Sequence, residues 1–440
     1  MIDPLKRIRE LVHKHTDQKA QNLASNINME TLYVIHAGMD GKKAPGVDGV
    51  NKEDYSKGVM DKLEDLILRL KRGSYKPQDS RRVYIDKPGS TKKRPLGISC
   101  YEDKLVEKNV AQLLEIVYEP KFKAFSYGFR PGRSCHQAIK KIMKEIQSYS
   151  HRINYVVEAD IRSFFDAINH DWMIEFLKHD IADAKFIDII RKQLEAGIME
   201  NGKHLEKEQG TTQGGSASAI LANVYLHYVL DSWFEREVQK GKYKGEAYLT
   251  RYCDDFVGCF QYKEDAERFY AQLGLRMARF GLGVAEEKTR ILHFGRYASA
   301  HRKRDGQGKP ETFSFLGFTF YCTMSRKGNF CVKVKSDRKK VSSKLKKLTI
   351  WLKDNRHRMK PHQLIAKLNR SLTGYYGYYA VSDNMRNMQK FRHRVIGLLY
   401  KWLNRRSHRR SFTWERFHEL LKRVPIVSPR LKHNLYESVN

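Results

Sequence analysis

Residues 247–260, AYLTRYCDDFVGCF, set two apolar arms around an adjacent pair of carboxylates, Asp254 and Asp255. The arms read as the strands of a hairpin with Tyr252-Cys253-Asp254-Asp255 at its tip. Adjacent Asp residues in a hairpin ordinarily serve as turn formers. Apolar residues on both sides put this pair at the edge of a core, where two carboxylates are unfavourable unless a cation compensates. A third acid, Asp160, ends a short buried-type strand over 155–160 (YVVEAD). Taken alone, an Asp between strand and helix is most often a helix N-cap. Hard oxygen donors grouped this way suit Mg2+, with Mn2+ able to substitute. Two such ions about 4 Å apart would serve an in-line phosphoryl transfer, activating a 3′-hydroxyl and stabilising a departing pyrophosphate.

The rest of the chain is a mixture of helix and strand patterns. Residues 1–75 read as helical around a Gly/Pro-rich loop at 41–50, 81–98 as a hairpin with a Pro-Gly turn, and 102–119 as a helix. Helical apolar spacing continues from the 155–160 strand through 161–177, and recurs over 181–197, 217–238 and 264–280. A strand pair is expected at 313–320 and 329–335. Beyond it, 336–440 reads as a separate helical lobe. There Met388, Phe391, Val395, Leu398 and Trp402 recur at alternating three- and four-residue steps, with Arg392, Arg394 and Lys401 between them. That pattern gives an apolar stripe that packs and a cationic face that does not. A length of 440 residues exceeds one ordinary compact domain, so two or three lobes are expected.

Charge narrows the partner. Residues 331–440 hold 28 Lys and Arg against 6 Asp and Glu, a net +22 of the chain's +33. Such an imbalance repels itself unless a polyanion is present, and nucleic acid is the expected one. No run approaches the ~18–20 consecutive apolar residues of a membrane span. The charged N-terminus lacks the apolar segment of a signal peptide, so a cytoplasmic protein without a membrane partner is expected. The six cysteines show no Cys-x-x-Cys pair, which makes a disulfide framework or zinc module unexpected.

Tyr-x-Asp-Asp after an upstream Asp-x-x-x-Phe-Phe-Asp resembles the palm of reverse transcriptases, and further blocks resemble the group II intron-encoded, maturase-type subfamily. APGVDGV (44–50) is similar to its N-terminal extension, and RPLGI (94–98) and SYGFRPGRSCHQA (126–138) to its fingers blocks. DIRSFFDAINHD (160–171), QGTTQGG (209–215), RYCDDFV (251–257), EEKTR (286–290) and FLGF (315–318) follow in the order of its palm blocks. LNRSLTGYYGYY (368–379) and FTWERF (412–417) resemble its thumb, called domain X. The resemblance implies an α+β right-hand polymerase: fingers, a palm whose antiparallel sheet carries the Tyr-x-Asp-Asp turn, and a basic helical thumb. Its boundaries would be 1–125 for the N-terminal extension and fingers, 126–325 for the palm with the remaining fingers elements, and 336–440 for the thumb. The reverse transcriptase domain as a whole would run over about 65–320.

The resemblance also implies roles. Asp160, Asp254 and Asp255 match the metal-binding triad, with the Ile161 carbonyl as an extra ligand. Phe165 matches the steric gate under the sugar, which selects dNTPs; core packing is its plainer explanation. Gln213 matches the residue lying against the incoming nucleotide, with Gly214 and Gly215 letting backbone approach it. Lys87 and Arg94 match the cations that clamp the triphosphate, and Lys288 a palm lysine near the nucleotide. Leu316 and Gly317 match the primer-grip turn, while Arg405, Arg406, Arg409 and Arg410 are the expected RNA contacts. The implied activity is RNA-directed DNA polymerisation, on an RNA template with a DNA or RNA primer and dNTPs, together with binding of a structured group II intron RNA. A domesticated enzyme of defense or repair and a non-enzymatic RNA-binding maturase are the alternatives. Three positions depart from the family pattern: Cys253 where Ala is usual, Thr212 where Pro is usual, and Arg162 where an acid is common. The sequence stops just after domain X, so no endonuclease of its own is expected.

Overall fold

The computed structural model describes residues 4–86, 93–241, 243–406 and 411–436. Among them eleven strands form, in chain order: β1 (Ser80–Asp86), β2 (Lys93–Ile98), β3 (Tyr155–Ala159), β4 (Ile198–Glu200), β5 (Lys203–Leu205), β6 (Ala247–Tyr252), β7 (Asp255–Phe260), β8 (Arg290–His293), β9 (Phe313–Phe315), β10 (Phe318–Met324) and β11 (Phe330–Ser336). Long helices lie between and after them, and the chain divides into two compact units.

The first unit gathers residues 4–86, 93–138 and 156–291. One of its sheets has the order β2-β1-β4-β5, with β1 and β2 antiparallel. The other has the order β6-β7-β3-β8, with β6 and β7 joined as an antiparallel hairpin. The helix Tyr101–Tyr118 buries Leu105, Val106, Val110, Leu113 and Leu114 on one face, as apolar residues at helical spacing require. In the β6–β7 hairpin, Leu249, Phe256, Val257, Cys259 and Phe260 are buried, so the acidic tip projects from a solid core.

The second unit holds 139–155 and the described residues from 292 onward. Its sheet has the order β11-β10-β9, all antiparallel. The helices Arg338–Asn355, Pro361–Tyr379, Met385–Leu403 and Trp414–Arg423 close around Leu352, Leu368, Leu372, Phe391, Val395 and Leu399. The apolar stripe of 385–402 follows the expected face except at one step: Leu399 is fully buried, and Leu398 lies at the margin. A straight helix advances 3.6 residues per turn, so the fourth step after Val395 points more directly inward than the third.

Three sequence expectations change. The helix expected over 161–177 is broken into a short turn, Phe164–Ala167, and a helix, His170–Asp180. Ser163 adopts φ +45°, and Asn169 starts the second helix by accepting a hydrogen bond from Trp172 N, so the chain bends twice where the apolar spacing runs on. The helix expected over 181–197 is Ala184–Glu195, capped by Asp183, and β4 and β5 follow it. The segment 217–238 is α-helical only over Ser218–Leu226; His227–Asp231 and Phe234–Gln239 are wider π-helical turns.

Candidate active site

The β6–β7 hairpin turns at Cys253 and Asp254, with Tyr252 paired to Asp255. Cys253 has φ +57° and is buried, a conformation that a residue with a side chain holds only where its surroundings impose it. Arg251 supplies the constraint. Its side chain is fully buried, and its Nε and Nη2 donate to both carboxylate oxygens of Asp231 at 2.7 and 2.5 Å. Its Nη1 donates to Asn223 Oδ1 at 2.9 Å and to the Cys253 carbonyl at 3.0 Å. Asn223 Nδ2 in turn donates to the Gly128 carbonyl at 2.7 Å. Gly128 lies so close that a Cβ there would fall 2.4 Å from Cys253 N, which is why glycine stands at that position. The motif reading does not include Arg251, Asp231 or Asn223, although an arginine inside an apolar strand signals that it must find a buried carboxylate.

Asp160 follows β3, and its carbonyl accepts from Ala285 N at 2.8 Å while Arg162 N donates to the Gly283 carbonyl at 2.7 Å. Those bonds form the bridge between Ile161 and Val284 without using the Ile161 carbonyl. Asp160 is not a helix cap: Ser163 is the residue that precedes the next helical turn. Its carboxylate instead accepts from Lys288 Nζ at 2.5 Å, and this bond is the main reason the Lys288 pKa is raised. Burial raises the Asp254 pKa, and the Asp160 charge raises it further while Arg94 opposes it. Asp160 and Arg94 therefore lie within electrostatic reach of Asp254. Asp255 is exposed at the start of β7. Among the described residues no three His, Cys, Asp or Glu side chains are drawn together into a finished chelate. Hard carboxylate oxygens on a rigid turn, one of them disfavoured as a charge by burial, nevertheless fit a hard divalent cation.

Phe164 and Phe165 differ in burial. Phe164 is buried in the core, whereas Phe165 is half-buried and meets it edge-on at 5.5 Å between centroids. The Phe165 carbonyl accepts from Thr211 N at 2.7 Å, and Gly97 N donates to the Gln213 carbonyl at 2.9 Å. The 211–213 segment is thus tied on one side to the Phe165 turn and on the other to β2. A Cβ at Gly97 would lie 2.2 Å from Thr212 Cγ2, so this close approach also needs glycine. Arg94 stands on β2 opposite Ile85; Lys87 lies outside the described residues.

In the second unit, Leu316 and Gly317 form the turn between β9 and β10, with φ of +49° and +77°. Tyr378 donates its hydroxyl to the Leu316 carbonyl at 2.7 Å, and a Cβ at Gly317 would meet the Tyr379 hydroxyl at the same distance. The paired tyrosines therefore buttress this turn. Arg405 is exposed, its guanidinium 5.6 Å from the Trp402 ring. Arg406 donates to the Met359 carbonyl at 3.1 Å. Arg409 and Arg410 lie outside the described residues. Among the described residues no helix is long and apolar enough to cross a membrane.

Residues 85–320 match the family model described as reverse transcriptase (RNA-dependent DNA polymerase), and residues 339–420 match the group II intron, maturase-specific domain. The chain is 36% identical over 231 residues to the group II intron-encoded protein LtrA of Lactococcus lactis subsp. cremoris, covering 51% of this chain and 38% of that protein. It is 32% identical over 280 residues to protein YkfC of Escherichia coli K12, covering 58% and 71% of the two chains. A 91 kDa protein encoded in the cob intron of Schizosaccharomyces pombe is 38% identical over 206 residues, covering 46% and 25%.

Proposed function

Because this chain belongs to the reverse transcriptase family and carries a group II intron maturase-specific domain, we propose that it is an RNA-directed DNA polymerase that also binds a group II intron RNA as a splicing maturase. The observation that carries this reading is the acidic tip of the β6–β7 hairpin, Asp254 and Asp255, held by the buried Arg251–Asp231 ion pair, with Asp160 at the end of the neighbouring strand β3. Reverse transcriptases generally use divalent metal ions. Asp160, Asp254 and Asp255, with the Ile161 carbonyl, would hold Mg2+, or Mn2+ in its place. Bound there, the ions supply activation of the primer 3′-hydroxyl and charge neutralisation of the departing pyrophosphate.

The chain's own residues would do the rest. Arg94, with Lys87, clamps the triphosphate, and Lys288 stands ready beside it once released from Asp160. Phe165, free of the core duty that Phe164 performs, closes the space under the sugar against a 2′-hydroxyl. Gln213 and Gly214 present a flat surface to the nucleotide; Gly214 at φ +108° leaves no side chain in the way. Leu316 and Gly317 hold the primer end, and Arg405, Arg406, Arg409 and Arg410 hold RNA phosphates. In this reading residues 1–125 form the N-terminal extension and fingers, 126–325 the palm with the remaining fingers elements, and 336–440 the thumb. Template RNA, primer and dNTPs are the substrates.

Primer extension on an RNA template tests the proposal. Asp254→Ala should abolish dNTP incorporation with Mg2+ or Mn2+ while leaving RNA affinity nearly unchanged, because the carboxylate serves chemistry and not docking. Extension at the wild-type rate by a pure, folded Asp254→Ala protein would refute it.

A further inference from the structure

The two groups that grip Arg251 stand on one stretch of chain whose helical form changes between them. Asn223 lies on the α-helical part, Ser218–Leu226, and Asp231 ends the π-helical turn His227–Asp231. Asn223 Oδ1 accepts from Arg251 Nη1, and the Asp231 carboxylate accepts from Nε and Nη2. All three residues are fully buried. Asp231 follows Asn223 by eight residues. In an unbroken α-helix, side chains at that spacing stand about 80° apart around the axis. A π turn carries more residues per turn, so each residue rotates the chain less and the angle closes. The widened turn is what sets Asn223 and Asp231 on one face, where a single guanidinium can meet both.

Such a turn has to be held open. In an α-helix Ser232 N would donate to the Tyr228 carbonyl. Here it donates to the His227 carbonyl. A donor from outside the helix serves the carbonyls that follow. Arg276, on the helix Lys263–Arg279, donates through Nη2 to the Tyr228 carbonyl at 3.1 Å and through Nε to the Val229 carbonyl at 2.9 Å. Among the described residues it pairs with no carboxylate, so these two carbonyls are what its fork answers. Its guanidinium also lies 4.5 Å from the Phe280 ring, and the Phe280 carbonyl accepts from the Tyr225 hydroxyl at 2.6 Å. The end of that helix is thus fastened to both the α-helical and the π-helical part.

We propose that Arg276 is a positioning residue for the polymerase reaction: it keeps the π turn open, and so keeps Asp231 aligned with Asn223 on Arg251, which holds the Cys253 carbonyl of the acidic turn. The proposal rests on the polymerase reading above. Every side-chain link in this relay is a hydrogen bond, and all its residues belong to the first unit. A lysine offers a point charge where arginine offers a fork, so it would serve one carbonyl well and the other poorly.

The test is a double-mutant cycle on primer extension. Arg276→Met keeps a stem over Phe280 and removes both donors, which should lower kcat roughly tenfold. The KM for dNTP and the affinity for RNA should stay within about twofold, because the relay ends at the reacting carboxylates. Arg276→Lys should recover part of the loss. In the Arg251→Met/Asp231→Leu background the relay is already cut, so adding Arg276→Met should cost stability but no further activity. A residue that only supports the fold would cost the same activity in both backgrounds. Hydrogen exchange read by mass spectrometry reports on the relay without turnover. Arg276→Met should speed exchange of the 247–256 amides in the otherwise wild-type protein and add nothing in the double variant. The proposal is overturned if Arg276→Met keeps the wild-type kcat, if its loss is undiminished in the double variant, or if hairpin exchange does not change. Wild-type protein that extends no primer would instead refute the polymerase reading, and exchange would still decide whether Arg276 reaches the hairpin.

Discussion

The acidic turn and the basic C-terminal unit use charge in opposite ways. At the turn, a few charges are fixed: Arg251 and Asp231 have no exposed surface, and their ion pair holds the Cys253 carbonyl. In the C-terminal unit the charge is abundant and spread out. Arg338, Lys339, Lys340, Lys346 and Lys347 are all exposed on one helix, whose inner face packs through Leu348 and Leu352. A buried pair costs desolvation and returns a single geometry. Exposed cations cost little, attract any polyanion, and lose their effect in salt. A fixed geometry needs the first arrangement, and attracting a polyanion needs only the second.

The largest effect should come from breaking the fixed network. Asp231→Ala leaves Arg251 buried and uncompensated, which should destabilise the first unit by about 3–5 kcal/mol. Urea unfolding followed by circular dichroism measures this. The double variant Arg251→Met/Asp231→Leu sharpens the comparison. Packing without charge should recover most of the stability, but the Cys253 carbonyl loses its donor, so primer extension should stay well below wild type. Full activity in that double variant would show that the ion pair only fills space.

A smaller effect is expected at Phe165. Phe165→Val should raise the ratio of kcat/KM for rNTP to that for dNTP by roughly tenfold or more, equivalent to about 1.4 kcal/mol of discrimination. Phe164→Val, at the buried ring, should instead lower stability and leave the ratio alone. If the two variants behave alike, both rings belong to the core.

The acidic turn was readable because its motif is local: apolar arms, a tight tip, and an Asp at the end of another strand. The frame around it was not. Ser163 at φ +45° interrupts a segment whose apolar spacing looks continuous, because the bend is set by distant partners, including Arg162 N on the Gly283 carbonyl and Thr211 N on the Phe165 carbonyl. Strands β4 and β5 are three residues each, and β4 joins β1 by pairing Ile198 with Ser80, a contact between distant parts of the chain that no local alternation announces. The π-helical turns after Leu226 go on burying Val229, Leu230, Phe234 and Val238, so apolar spacing does not mark where the α-helix ends. In the C-terminal unit the helix over 385–402 was legible from its period, and the error was one step, Leu398 for Leu399. Which basic side chains are exposed and which are tied to the fold was not legible, since composition counts charges without placing them.

Arg405 and Arg406 turn that last gap into the smallest predicted effect. They are adjacent in sequence but differently employed. Arg405 is exposed and rests near the Trp402 ring, while Arg406 donates to the Met359 carbonyl. If the exposed cation meets phosphate, Arg405→Gln should reduce the slope of log K against log salt for RNA by roughly 0.7–0.9, one contact's worth. Arg406→Gln removes a hydrogen bond that ties Met359 to this helix end. It should lower unfolding stability by about 1 kcal/mol and change the slope less. RNA titrations between low and moderate salt, alongside urea unfolding of the same proteins, separate the two. Equal slope changes would mean that Arg406 leaves Met359 to meet RNA, and the division between fixed and dispersed charge would then have to be redrawn inside the basic unit itself.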